Sequence, residues 1–505
     1  MTLVRPSNET IKAILLCAVY AFIVLFLLSP DSYIRDVYGR DDSAWFFTCG
    51  KAWMNGMVPY VDFADSKGPL LWLIFGIGYL ISPCSYIGVF WMSVISYTAL
   101  LFFAYRLCRL YLDERASAVV TAIMPLILFF QRYHYETRAE DFCNAFLMLA
   151  LLCVCIVLRD WKRLCGRRCF ILSAAMGAAC ACCVMIKWNI GAAMLMLLAI
   201  ALFYSIRAGF GLRSLCGMLS GFLVIVVPFV IYLLSCGAFD DFIHEYFINT
   251  TLTTVHDGSK LLPISLLSTC LDSGMKRFAI LLCGILLFSW REGKIYLWLV
   301  LSFIIFWLAI FGIIRHNYYI CIFLPFTIFL VLPVIDIFFN KVGKAKRFTP
   351  ALCVIAALIS VGVNIGRVNE KTTWTKGWHQ GCDRACYIMA QVEKPKIFYS
   401  GHDRGIGVLV DALPACKYWA LQNWSTDEMI AEREEALKSG VADFVIVCAE
   451  SSKREIQAAY ELVKKIEAAG YVLYLSTSCD PIPRVFMLYG HPGLNLPPDG
   501  LYEAT

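Results

Sequence analysis

The sequence contains little charge for its length. Only 16% of its 505 residues are Asp, Glu, Lys or Arg, whereas soluble globular proteins carry about a quarter. Hydrophobic residues make up 60%, and the mean hydropathy is +0.68. This composition excludes a soluble globule and predicts a polytopic membrane protein. The net charge of +6 lies in clusters between apolar runs, so it indicates membrane orientation and implies no nucleic-acid partner.

The sequence also lacks the cysteine spacing of a disulfide framework. Most of its 23 cysteines lie inside apolar runs such as LLCVC (151–155), where a thiol packs as a small hydrophobic group. Cys382 and Cys386 are one helical turn apart with no second ligand pair nearby, which argues against a zinc site. GIGVLV (405–410) lacks the third glycine of a dinucleotide-binding loop.

Eleven apolar segments predict transmembrane helices, some of them extended into their flanks. They lie near residues 13–29, 86–105, 117–131, 141–158, 170–186, 188–206, 214–235, 276–290, 295–313, 317–338 and 349–366. A further run, PLLWLIFGIGYLISP (69–83), is bounded by prolines and is shorter than the roughly twenty residues that a spanning helix needs. We therefore expect this run to lie along the membrane surface.

The positive-inside rule sets the predicted orientation. If residues 69–83 do not cross, all five basic clusters between spans fall in the cytoplasm. These clusters are YRLCRLYLDER (105–115), RDWKRLCGRR (159–168), RAGFGLR (207–213), REGK (291–294) and NKVGKAKR (340–347). The N-terminus is then cytoplasmic, and the C-terminus is extracytoplasmic.

Residues 31–85 then form one large external loop. Aromatic and small residues recur at helical spacing in 42–55, which predicts an interfacial helix with its aromatic side chains at headgroup depth. Asn-Gly and Pro in NGMVPY end that helix. The run 69–83 forms a second interfacial helix, and Lys67 immediately precedes it.

The other charged groups gather at the same face of the membrane. Lys187 interrupts the apolar stretch 170–206, where a cation costs a few kcal/mol unless it reaches the interface or has a function. The remaining members of this outer group are Glu140, Asp141, Arg315, His316, Tyr318 and Tyr319. Taken singly, external acids are often solvated or cap helices, and tyrosines often form interfacial belts.

After Arg367 the composition becomes that of a soluble domain. KIFYS, KYWAL, DFVIVCA, YVLYL and RVFMLYG predict strands, and 426–439 and 453–469 predict amphipathic helices. We therefore divide the chain into a transmembrane domain, residues 1–366, and a small extracytoplasmic α/β domain, residues 367–505.

Several motifs resemble one family in their order and their common side. The acidic pair DD (41–42), the aromatic helix ending NGMVPYVDF, and DSKGPLLW resemble the first loop of the polytopic GT-C glycosyltransferases. AED before the fourth span, IKWNIG after the fifth and HNYYICIFLP extend this similarity. The most similar branch contains the protein O-mannosyltransferases and the aminoarabinose lipid A transferase. The chain has Asp-Asp where this branch has Asp-Glu, and Tyr318 where it has histidine, with His316 two residues earlier.

The resemblance implies an inverting transfer of a sugar from a polyprenyl-phosphate donor to an envelope lipid, glycan or protein, at the outer face of a bacterial inner membrane. A carboxylate must take the proton of the acceptor, and we assign Asp41, with Asp42 as the alternative. Cations must hold the leaving phosphate, and we assign Lys67 and Lys187, assisted by Arg315 or Tyr319. The resemblance further implies that Glu140, Asp141, Tyr318 and His316 orient the acceptor. Some family members use a divalent metal, and in this chain Glu140 or Asp141 would be its ligand.

Two other functions compete with this interpretation. A transporter or flippase of a lipid-linked intermediate usually shows internal repeats and ionisable groups near the bilayer centre. This sequence shows no repeat, and its charges gather at one face. A noncatalytic envelope scaffold would leave Lys187 and the ordered first loop unexplained.

Overall fold

The computed structural model describes most of the chain. The described residues are 8–34, 41–129, 136–251, 273–311, 317–341, 376–401, 405–420, 426–450, 453–479 and 484–494, with positions 348, 351, 352, 354, 355, 358 and 496. They form a bundle of apolar helices followed by a small domain with one sheet.

The helices of the first part alternate between long apolar segments and short connecting turns. In chain order they are α1 (Asn8–Leu28), α2 (Asp42–Met54), α3 (Pro69–Ile81), α4 (Ile87–Cys108), α5 (Glu114–Phe129), α6 (Ala139–Asp160), α7 (Gly166–Ile186), α8 (Trp188–Ala193), α9 (Leu195–Arg207), α10 (Gly211–Ser235), α11 (Phe239–Phe242), a π-helix (Ile243–Asn249), α12 (Ser273–Glu292), α13 (Leu297–Phe311), a 3₁₀ helix (Asn317–Thr327) and α14 (Ile328–Lys341).

Eight helical segments among the described residues are long and apolar enough to cross a membrane. The chain is therefore a multi-pass membrane protein, as its composition predicts. Ten of the eleven predicted spans coincide with apolar helices of the list above, although α5 has only 16 residues. The eleventh, 349–366, lies almost entirely outside the described residues, and the predicted orientation stays a prediction.

The two helices of the predicted first external loop lie against each other. Gly50 permits this close approach, because a Cβ at this position would lie 2.5 Å from the backbone nitrogen of Gly76 in α3. The 13 residues of α3 span about 20 Å, too short to cross the roughly 30 Å of a bilayer core. Leu71, Trp72 and Phe75 are buried, whereas Leu80 and Ile81 are exposed, so α3 has one face on the protein and an apolar end facing outward.

The environment of α2 differs from the prediction. Every residue from 43 to 52 is buried, so Trp45, Phe46 and Phe47 are covered by protein and do not face lipid headgroups, whereas Trp53 is half-buried. The cover comes partly from the C-terminal domain, whose Trp419 lies 5.4 Å from Trp45 between ring centroids. Helical spacing identified the helix, but it does not distinguish a lipid interface from a protein interface.

In the part of the chain that the structure describes, the C-terminal domain contains a five-stranded sheet, four α-helices and a short 3₁₀ helix (Pro492–Leu494). Its elements are α15 (Lys376–Met389), β1 (Lys396–Ser400), α16 (Ile406–Leu409), β2 (Leu413–Pro414), α17 (Asp427–Lys438), β3 (Phe444–Glu450), α18 (Lys453–Ala468), β4 (Val472–Cys479) and β5 (Arg484–Gly490). The strand order is β2-β1-β3-β5-β4. The first three are parallel, and β5 runs antiparallel to both of its neighbours.

One predicted strand, KYWAL, is not a strand. Its described residues make a single bridge, between Ala420 and Tyr399 of β1. The carbonyl of Lys417 instead accepts a hydrogen bond from the backbone of Ala64 at 3.0 Å. The segment therefore connects the sheet to the first loop of the transmembrane part, which is why its alternating pattern does not extend the sheet.

A buried lysine joins α2 to the C-terminal domain. The side chain of Lys51 is fully buried, and its Nζ donates to the carbonyl of Gly407 at 2.7 Å and lies 3.5 Å from Asp411. Burial lowers the pKa of Lys51 to about 8, although the carboxylate of Asp411 acts in the opposite direction. No local pattern indicates this contact, since Lys51 resembles any lysine of an amphipathic helix.

We expect Lys51→Met to lower the free energy of unfolding by about 1–3 kcal/mol, because a buried hydrogen-bond acceptor and a carboxylate lose their partner.

The pKa of Lys51 is lower in the folded chain than in the unfolded one, so the unfolded chain binds more protons between about pH 8 and 10. Wild-type stability should therefore gain a contribution as the pH rises through this window, and Lys51→Met should lack it. Thermal midpoints of both proteins in detergent, compared across this window, check the difference. Parallel pH profiles would contradict it.

Candidate functional site

The predicted acidic pair lies at the beginning of α2. Asp41 is the N-cap residue, and its carbonyl accepts the first helical hydrogen bond from Trp45 at 3.0 Å. Asp42 is the first helical residue. The backbone N–H groups of both residues donate to one carboxylate oxygen of Glu136, at 3.0 and 2.8 Å. The sequence analysis did not single out Glu136, which lies among other charged residues in the segment before α6.

Lys67 lies beside the second turn of the same helix. Its Nζ is 5.5 Å from the ring centroid of Phe46 and 4.0 Å from Asp65. Phe46 follows Asp42 by four residues, which is about 6 Å along a helix axis. The acidic pair and the first predicted cation therefore lie at the same end of α2.

Lys187 occupies the break between α7 and α8. Its backbone is extended there (φ −153°, ψ 102°), and its Nζ lies 2.6 Å from Glu140 and 4.0 Å from the ring centroid of Tyr319. Burial acts to lower the pKa of Lys187, but Glu140 and Tyr319 outweigh it, and the pKa is raised. Lys187 is therefore a cation held in a fixed position.

A backbone hydrogen bond joins the two segments that carry these lysines. The N–H of Gly68, next to Lys67, donates to the carbonyl of Ile186, next to Lys187, at 3.0 Å. Gly68 is also the N-cap of α3, so the positive end of that helix dipole lies at the same point. Cations and helix N-termini are the groups that bind phosphate in proteins, and here the segments that carry two lysines meet at the N-terminus of α3.

Of the remaining predicted residues, Asp141 has described contacts, whereas the side chains of Arg315, His316 and Tyr318 are not described. Asp141 accepts a hydrogen bond from the backbone of Arg138 at 2.9 Å and lines a cavity of about 30 Å³ between α1, α4 and α6. Arg315 and His316 lie outside the described residues, and only the backbone of Tyr318, in the 3₁₀ helix, is described.

The C-terminal domain contributes a second charged cluster that the sequence analysis missed. Lys417 lies 2.9 Å from Asp241 and 3.0 Å from Glu245, and the hydroxyl of Tyr418 donates to Glu245 at 2.6 Å. Glu245 is 4% exposed. This cluster fixes the C-terminal domain against the π-helix. No local sequence signal indicates it, because its members are far apart in the chain.

The described residues do not fit a bound divalent metal. Among them, no group of three or more His, Cys, Asp or Glu side chains is arranged to hold an ion. Glu140, one of the two predicted ligands, directs its carboxylate to the ammonium group of Lys187.

Comparison with known proteins identifies the architecture. No protein-family model matches the chain, and no curated protein matches it. Among solved structures, the apo form of ArnT from Cupriavidus metallidurans matches with a TM-score of 0.59 and 13% identity. The form bound to undecaprenyl phosphate matches with a TM-score of 0.60 and 14% identity. Each alignment covers 95% of this chain and 98% of ArnT. The chain has the GT-C fold of ArnT.

Proposed function

We propose that this chain is an integral-membrane glycosyltransferase. It transfers a hexosyl or pentosyl group from a polyprenyl-phosphate donor to an envelope acceptor on the extracytoplasmic face, with inversion. The observation that carries the proposal is the Gly68–Ile186 backbone hydrogen bond, which joins the segment of Lys67 to the segment of Lys187. This hydrogen bond lies beside the acidic end of α2. The fold is shared with a protein solved with undecaprenyl phosphate.

The leaving phosphate gains negative charge as the glycosidic bond breaks. Lys67 and Lys187, with the N-terminus of α3, supply positive charge and hydrogen-bond donors for that group. Glu140 keeps Lys187 in position at 2.6 Å, so the site needs little rearrangement when the donor binds. Arg315 or Tyr319 is proposed to assist, and Tyr319 already lies against Lys187.

The acceptor must lose a proton as its oxygen attacks the anomeric carbon. Asp41 is the proposed general base and Asp42 the alternative. Both lie at the end of α2 where the ammonium group of Lys67 lies over the ring of Phe46. Asp141, Tyr318 and His316 remain the proposed acceptor residues. Glu140 is hydrogen-bonded to Lys187, which favours a role in orienting that cation.

The exposed apolar end of α3 suits a lipid-borne donor. Ile77, Leu80 and Ile81 are exposed, while the opposite end of the helix begins directly after Lys67 and Gly68. A prenyl chain running along this surface would bring its phosphate to the N-terminus of α3. This arrangement supports a donor that enters sideways from the bilayer.

The test is release of polyprenyl phosphate by purified protein in lipid, given a panel of polyprenyl-phosphate sugars and an envelope extract as acceptor. We expect release from one donor, reduced about 100-fold or more in Asp41→Asn and in Lys67→Ala. Lys464→Ala is the matched control, because this lysine is exposed on α18. Absence of release from every donor, together with movement of the donor between leaflets, would favour a flippase instead.

A further inference from the structure

Glu136 caps α2 from a distant part of the chain. One of its carboxylate oxygens accepts backbone N–H groups of Asp41 at 3.0 Å, Asp42 at 2.8 Å and Ser43 at 3.4 Å. The side chain of Glu136 is 2% exposed. The first N–H groups of a helix have no partner within the helix, so a buried helix end requires an acceptor.

The source of this acceptor is unusual. An aspartate at an N-cap normally accepts the N–H of the second or third helical residue with its own side chain. Asp41 is the N-cap of α2, yet its side chain makes no such hydrogen bond. Glu136, 95 residues away in the sequence, performs the capping in its place.

The second oxygen of Glu136 is also occupied. It accepts hydrogen bonds from Nη2 of Arg138 at 2.9 Å and from Nε at 3.3 Å. Arg138 is in turn fixed at the beginning of α6, where its backbone N–H donates to Asp141. A continuous polar connection therefore runs from the N-terminus of α6 to the N-terminus of α2.

We propose that Glu136 is a positioning residue, which caps α2 in place of Asp41 and thereby directs the acidic pair towards the acceptor. This inference rests on the proposed glycosyl transfer. A carboxylate that accepted helical N–H groups would point along its own helix and have its basicity reduced by those hydrogen bonds. Replacing that cap with Glu136 keeps the helix end satisfied while the catalytic carboxylate retains another direction.

The charge of Glu136 is sensitive to pH near neutrality. Burial raises its pKa to about 7, and Asp42 and Asp41 act in the same direction, while Arg138 acts against them. The ionised carboxylate is the better acceptor for three N–H groups and for Arg138. The transfer rate should therefore rise with pH between about 6 and 8, as this group ionises.

The experiment compares wild type with Glu136→Gln and Glu136→Ala, measuring kcat, donor affinity and the pH profile of kcat. We expect kcat to fall about 10- to 100-fold in both, as displaced catalytic groups usually cause. Donor affinity should remain close to that of wild type, because Lys67 and Lys187 are untouched. The rise near pH 7 should disappear in Glu136→Gln. Glu292→Gln, a partly buried glutamate on α12, is the matched control and should behave as wild type.

Two results would overturn the positioning role. One is unchanged kcat in both variants, and the other is an equal loss of kcat and donor affinity, which would indicate general damage to the fold. Hydrogen exchange at the amides of residues 41–43 supplies a readout independent of catalysis, and it should accelerate in Glu136→Ala. If the wild-type protein transfers no sugar, but exchange at these amides is faster in Glu136→Ala than in wild type, the proposed function is refuted and the cap is confirmed. Unchanged exchange would refute the cap itself.

Discussion

Gly68→Ala is expected to lower the transfer rate by about 100-fold or more, because it separates the two lysines proposed to hold the phosphate. A Cβ at Gly68 would overlap the backbone carbonyl of Met185 and lie 2.9 Å from the hydroxyl of Tyr246. The obstacle is backbone, which cannot rotate away as a side chain does. The segment carrying Lys67 must therefore move away from the end of α7 and from Lys187.

The backbone conformation of Gly68 excludes backbone strain as the cause of the expected loss and leaves the packing clash. Its φ of −83° and ψ of 159° are accessible to any residue, so alanine would introduce no strain of its own. Gly56, in the same loop, presents the opposite case, with φ +88° and no atom within 4 Å of an added Cβ. Gly56→Ala should cost about 1 kcal/mol of stability through backbone strain and leave donor binding intact.

Donor affinity and the rate of polyprenyl phosphate release, measured for both variants, separate the two effects. Gly68→Ala should lose both affinity and rate at a temperature where the protein remains folded. Gly56→Ala should lose only thermal stability. Equal behaviour of the two variants, or normal donor binding by Gly68→Ala, would mean that the hydrogen bond to Ile186 does not organise the site.

The sequence was informative where one local pattern decides the structure. Apolar length identified the spanning helices, and the short run after Pro69 was correctly separated from them, since α3 has 13 residues. Asn-Gly and Pro ended α2 close to the predicted place. A cation inside an apolar stretch needs a partner, and the structure supplies Glu140 and Tyr319 for Lys187.

The sequence was uninformative where the partner comes from a distant segment. Glu136 lies among other charged residues, and nothing local shows that its carboxylate reaches the beginning of α2. Lys51 and Lys417 have the appearance of surface lysines, yet both join the transmembrane part to the C-terminal domain. The burial of the aromatic side chains of α2 has the same origin, because the domain that covers them begins more than 300 residues later.

Asp41→Asn is expected to lower kcat by about 10²- to 10⁴-fold, the usual contribution of a general base. Asparagine has nearly the same shape as aspartate but cannot take up the proton of the acceptor. The backbone of residue 41 would remain bonded to Glu136 and to Trp45, so the helix end should persist. Loss of one charge beside a helix N-terminus should cost only about 0.3–1 kcal/mol of stability.

Asp42→Asn is the matched variant that assigns the base. Both residues donate their N–H groups to Glu136, so either substitution perturbs the same cap to a similar degree. If Asp41 is the base, Asp42→Asn should reduce kcat much less, and donor affinity should stay unchanged in both variants because the phosphate contacts Lys67 and Lys187. The reverse order would assign the base to Asp42. Equal and small losses would place the base outside this pair, since a carboxylate that accepts the proton cannot be replaced by an amide without a large loss of rate.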